Sequence, residues 1–187
     1  IAEKIIENFM LLAGECAASY LVLPTAYRVH EAPDEDRVEE AFDMLEKSGI
    51  RVKSTHDLVN GRVIQKILEQ INDEDDRNIA ASIILRSMKR ARYSIENCGH
   101  FALQLDSYCH FTSPIRRIAD FIIHSIIDEI DTFDYSKNNI DKLEKQLQEI
   151  CENASRLEKI SQEIEEKGKM TLMAEYMQGH INEKFEA

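Results

Sequence analysis

Apolar positions recur at helical spacing over residues 2–21, where Ile5, Ile6, Phe9, Met10, Leu12, Ala13 and Cys16 predict an amphipathic helix that Pro24 ends. Tyr27 to His30 reads as a short extended or turn segment. Asp34, Glu35 and Asp36 then front a helix carrying Val38, Phe42 and Leu45 and closing at Gly49. Acids there complement the helix dipole and require no further role. Ile50 to Val52 suggests a short strand, and Thr55 and Asp57 precede a helical run interrupted by Gly61. The acids Asp73 to Asp76 read as capping chemistry for a helix with Ile79, Ile83, Ile84 and Met88, rather than as a metal site. From about Lys137 to Met177 a near-heptad apolar pattern predicts a long helix packed on its own domain, broken or frayed near Gly168.

Between these elements lies Gly99 to His124, GHFALQLDSYCHFTSPIRRIADFIIH. His100, Ala102 and Gln104 alternate with Phe101, Leu103 and Leu105, the pattern of a half-buried strand. Ser113 then suits an N-cap and Pro114 a first helical position. Arg116 and Arg117 follow at once, facing the positive end of the expected helix dipole. Two explanations stand: the arginines hold a phosphate or similar anion beside exposed backbone amides, or they reach carboxylates on the surface. Arg116, Asp120, His124 and Asp128 form one stripe at i, i+4, so Asp120 is expected to fix Arg116, and His124 to be a satisfied core histidine. The remaining positions are nearly all apolar, which predicts a buried helix.

With 187 residues and 43% hydrophobic content, the chain is long enough for one domain with a sizeable core. Its first residues read as mid-helix, so a piece of a longer protein is expected. The elements together predict an α+β fold, predominantly helical, with a few short strands. Four cysteines set far apart suggest reduced thiols and a cytoplasmic setting. A net charge of −12 argues against a broad nucleic-acid surface. It leaves room for a narrow basic locus around Lys89, Arg90, Arg92 and the arginine pair.

The octapeptide HFTSPIRR, followed by Asp120 and His124, resembles the signature of the ribonuclease II / ribonuclease R family of 3′→5′ exoribonucleases. The preceding LRSMKRARYSIENCGHF, FMLLA near the start and PTAYRVHEAP resemble further blocks of that family in the right order. The chain departs from the pattern at Ile118, Ala102, Gly14, Ser125 and Asn8. The resemblance implies that residues 1–178 are the C-terminal half of a mixed nuclease domain, and 179–187 the lead-in to a truncated oligonucleotide-binding barrel.

The resemblance further implies a processive, magnesium-dependent enzyme releasing nucleoside 5′-monophosphates from single-stranded RNA. The aspartates that hold Mg2+ in that family have no counterpart segment here, so the metal's ligands are expected elsewhere in a monomeric parent, and the fragment alone is expected to be inactive. By position Arg116 would clamp the scissile phosphate. Arg117, His110, Thr112 and Ser113 would line the same locus, Glu7 and Glu165 would lie near the RNA end, and Tyr93 would be available to a base. The rival from another class is a catalytically inactive RNA- or protein-binding paralogue.

Overall fold

The computed structural model describes residues 2–50, 61–181 and 183. It is a helix-dominated α+β fold: α1 (Ala2–Tyr20), β1 (Tyr27–Val29), α2 (Glu35–Lys47), α3 (Gly61–Glu69), α4 (Glu74–Ser87), β2 (Arg92–Ser94), α5 (Ile118–Glu129) and α6 (Lys137–Gln178). The strand expected at Ile50–Val52 and the cap expected at Thr55–Asp57 fall largely outside the described residues.

β1 and β2 pair antiparallel, Tyr27 opposite Ser94, Arg28 opposite Tyr93 and Val29 opposite Arg92. Helices α2, α3 and α4 close over Leu45, Ile50, Ile64, Ala80 and Ile84, a satellite core that sits apart from the strands. Asp73 accepts the amides of Asp75 and Asp76, each at 3.0 Å, so the acidic run does cap α4. The main core joins Ala17, Ala18, Leu21 and Leu23 at the end of α1 to Cys109, Ile123, Ile126 and Leu147. A smaller cluster of Ala26, Tyr93, Ala119, Cys151 and Ala154 seats α6 on β2 and on the start of α5. Small residues at 119 and 154 let these elements approach closely beneath what becomes the cleft.

Gly99 to Leu105 is not a strand. Phe101–Leu103 is a 3-10 turn whose last amide is accepted by the His100 ring, and Gly99 (φ +73°) and Gln104 (φ +55°) bend the backbone out of extended geometry at either side. The segment still pairs with the residue just past β1 through an isolated bridge: His30 N–H donates to Gly99 O (3.0 Å) and Phe101 N–H to His30 O (2.8 Å).

Three further expectations need correction. Helix α5 begins at Ile118, not at Ser113: Pro114 to Arg116 forms a separate turn, and Arg117 is extended (φ −129°, ψ 118°). The arginines therefore do not sit in a helical first turn. Nor is α5 buried all round, since Ile118 and Phe121 are more than half exposed. Finally, α6 runs unbroken through Gly168, and of its residues only Leu147, Cys151 and Ala154 are buried. One glycine costs a helix only about 1 kcal/mol, and the Glu165–Lys169 pair at 2.7 Å spans the position.

Candidate functional site

The turn before α5 and the middle of α6 face each other across a cleft of about 540 Å³. Arg116, Arg117, Ile118 and Ala119 form one wall; Ala154, Leu157, Glu158, Ser161, Gln162 and Glu165 form the other, with Tyr93 at the base. On α6 the spacing 154, 157/158, 161/162, 165 is that of a single helical face.

The two arginines differ. Arg117, with a side chain only 18% exposed, donates to Asp120 Oδ1 at 2.7 Å. The same oxygen accepts the Ser113 amide at 2.8 Å, so Asp120, fully buried, folds the turn back onto the N-terminus of α5. A carboxylate in that first turn also meets the favourable end of the dipole. The expected Arg116–Asp120 bond is thus an Arg117–Asp120 bond: with Arg116 in the preceding turn, the i, i+4 geometry does not exist. Arg116 is exposed and makes no salt bridge among the described residues. Arg117 Nε and Asp120 Oδ2 are buried without a partner in the protein.

Beneath this wall, the Tyr93 hydroxyl lies 2.9 Å from His110 Nδ1, and the two rings meet edge to face. Burial, with Arg117 and Arg28 adding to it, pushes the His110 pKa down to about 3. Burial also pushes the Tyr93 hydroxyl up to about 12. Both are therefore neutral near pH 7, and a hydroxyl donating to Nδ1 leaves the imidazole proton on Nε2. Tyr93 is buried, with the Arg28 guanidinium over its ring at 4.8 Å from the centroid. His124 is half-buried, stacked on Phe111 at 4.3 Å and bonded to the Phe111 carbonyl at 2.9 Å, a satisfied histidine as expected.

Of the residues singled out in the sequence, Arg116, Arg117, Tyr93 and Glu165 meet in the cleft. His110 stands behind Tyr93, Ser113 is engaged through its amide, and Thr112 is exposed beside them. Glu7 does not line the cleft; it is exposed on α1 and paired with Lys4 at 3.0 Å. Sequence reasoning missed Glu158, Ser161 and Gln162, which helical spacing from Glu165 would have found. It also missed Arg28, which makes a two-pronged pair with Glu158 at 2.6 and 3.1 Å.

Magnesium, which the resemblance implies, does not fit these residues. Among the described residues no three His, Cys, Asp or Glu side chains are grouped to hold a metal. The carboxylates of the cleft wall are each taken by a cation, Glu158 by Arg28 and Glu165 by Lys169. Among the described residues no helix is long and apolar enough to cross a membrane.

Residues 1–132 match the RNB domain. The chain belongs to the RNB family, the ribonuclease II/R group. It is 36% identical over 189 residues to ribonuclease R 1 of Lactococcus lactis, covering 100% of this chain and 23% of that one. It is 39% identical over 191 residues to ribonuclease R of Aquifex aeolicus, covering 99% and 26%. The fold superposes on Mycoplasma genitalium RNase R in complex with ribose-methylated single-stranded RNA with a TM-score of 0.87 at 27% identity, over 97% of this chain and 29% of that one. The chain spans about a quarter of the length of these curated relatives.

Proposed function

We propose that the parent protein is a 3′→5′ exoribonuclease that hydrolyses single-stranded RNA to nucleoside 5′-monophosphates, and that this segment supplies the arginine holding the scissile phosphate, Arg116. The observation that carries the reading is an exposed guanidinium, without an ion pair among the described residues, at the mouth of a cleft whose carboxylates are already engaged. Membership of the RNB family supports the chemistry. A planar cation with free donors binds two oxygens of a phosphate at once and opposes the charge that grows on it during displacement. Arg117, committed to Asp120, orients the turn that presents Arg116.

Within this reading the magnesium ligands belong to the rest of the parent, and the isolated segment is inactive. Residues 179–187 lead toward an oligonucleotide-binding barrel. Ser161 and Gln162 offer uncharged donors to the RNA end from the opposite wall.

The test uses the full-length parent with labelled single-stranded RNA and magnesium, comparing wild type with Arg116→Ala and Arg116→Lys. Loss of about a hundredfold or more in rate is expected for Arg116→Ala, with binding retained. Lysine fails as well, because it cannot present two parallel donors. An Arg116→Ala enzyme at full rate removes the assignment. A wild type that binds RNA and releases no mononucleotide makes the protein an inactive paralogue.

A further inference from the structure

The cleft has a charge problem that its lining alone does not solve. One wall carries Arg116 and Arg117, but Arg117 is neutralised by Asp120, and the facing wall carries Glu158 and Glu165. A phosphodiester entering between them would meet two carboxylates and, in Arg116, one cation without an ion pair among the described residues. Glu165 is answered by Lys169 from its own helix, 2.7 Å away and on the solvent side. Glu158 is answered from outside the cleft by Arg28, which reaches it from β1.

Arg28 is unusually well fixed for such a task. Its side chain is 12% exposed, and two of its nitrogens meet the two Glu158 oxygens at 2.6 and 3.1 Å. Its planar head lies over the Tyr93 ring. Its backbone amide donates to Tyr108 O at 2.8 Å, and its strand partner is Tyr93. The guanidinium therefore cannot swing into the cleft without giving up both the stack and the pair. A guanidinium so held acts on a ligand only through what it does to Glu158.

We propose that Arg28 is a positioning residue for RNA binding, which turns the Glu158 carboxylate away from the incoming phosphate and compensates its charge. The proposal rests on the RNA reading above and adds to it a residue outside the cleft. Its physical content is that the harm done by losing Arg28 comes from Glu158. Removing one partner of a partly buried ion pair leaves the other charge uncompensated, here facing a polyanion. Removing both partners takes that repulsion away.

The experiment is a double-mutant cycle in the full-length parent: wild type, Arg28→Gln, Glu158→Gln and Arg28→Gln/Glu158→Gln, with Arg28→Lys as a charge-retaining variant. Affinity for a single-stranded oligoribonucleotide is read by fluorescence anisotropy in EDTA, so that binding is measured whether or not the protein cleaves. Thermal unfolding is followed in parallel. Arg28→Gln is expected to weaken binding about tenfold, with the loss shrinking as salt is raised. The double variant is expected to recover most of that affinity even though it has lost the pair and is no more stable than Arg28→Gln. Arg28→Lys should stay near wild type in binding. A double variant that binds as poorly as Arg28→Gln overturns the proposal, because a purely packing role predicts that result. So does an Arg28→Gln protein that binds like wild type, or a wild type that binds no RNA. A wild type that binds but does not cleave defeats the exoribonuclease reading while leaving the cycle readable.

Discussion

Arg117 donates to Asp120 Oδ1 across 2.7 Å, and this bond sets two adjacent arginines in opposite environments. Arg117 is a partly buried structural cation; Arg116, one residue earlier, is exposed. Their contributions to stability should differ accordingly. Arg117→Ala leaves the buried Asp120 carboxylate uncompensated, and Asp120→Ala leaves the partly buried Arg117 so; each should cost about 3 kcal/mol. Arg116→Ala should stay within about 0.5 kcal/mol of wild type. Urea denaturation of the three variants checks this, and equal losses for both arginines would contradict the geometry.

Acid sensitivity follows from two histidines. His110 falls to about 3 and His100 to about 4, both from 6.5 and both chiefly through burial. The unfolded chain therefore binds protons at these sites more readily than the folded one. Stability is full above pH 6.5 and is lost as pH falls from 6.5 toward 4 and then 3. Replacing His110 by Gln should flatten that slope. Denaturant midpoints across this range for wild type and His110→Gln decide it, and parallel curves would count against burial of a neutral imidazole.

Thiol reactivity should split the four cysteines evenly. Cys16 and Cys98 are exposed, whereas Cys109 and Cys151 are buried. Burial pushes the Cys109 thiol up to about 12 and Cys151 up to about 11, so neither offers a thiolate near neutral pH. Alkylation of the native chain should label two of these sites and denaturation all four, read by mass spectrometry. Labelling of Cys109 without denaturant would show that α1 leaves its seat.

The docking of α1 depends on Gly14. Its carbonyl accepts from both the amide and the thiol of Cys109 (3.4 and 3.3 Å). A Cβ at this position would collide with the Cys109 carbonyl oxygen and the Tyr108 ring. Gly14→Ala should therefore destabilise the protein by about 2 kcal/mol and raise the native labelling of Cys109. Unchanged melting would mean that the 108–109 segment yields freely.

The sequence made the helices legible wherever apolar residues kept one period for several turns, as in α1, α2 and α6, and the capping acids of α4 were read from local chemistry alone. The alternation at residues 100–105 misled because it records side-chain polarity and is blind to the positive φ of Gly99 and Gln104. The Arg116–Asp120 pairing failed for a related reason: i, i+4 reasoning assumes a helix, and Arg117 is extended. The cleft was half visible. HFTSPIRR drew attention to its arginine wall, but the Arg28–Glu158 contact joins residues 130 apart in the chain, a separation that no local pattern encodes.

An unbroken α6 has a mechanical consequence. At about 1.5 Å per residue its 42 residues form a rod of about 63 Å. The rod is anchored in its second quarter, at Leu147, Cys151 and Ala154, and Arg28 adds a strut at Glu158. From 161 to 178 no residue of the rod is buried. A load applied there becomes torque at the fulcrum, and the first parts to feel it are Glu158, Ser161, Gln162 and Glu165. One continuous helix thus carries both the outer rod and the α6 wall of the cleft.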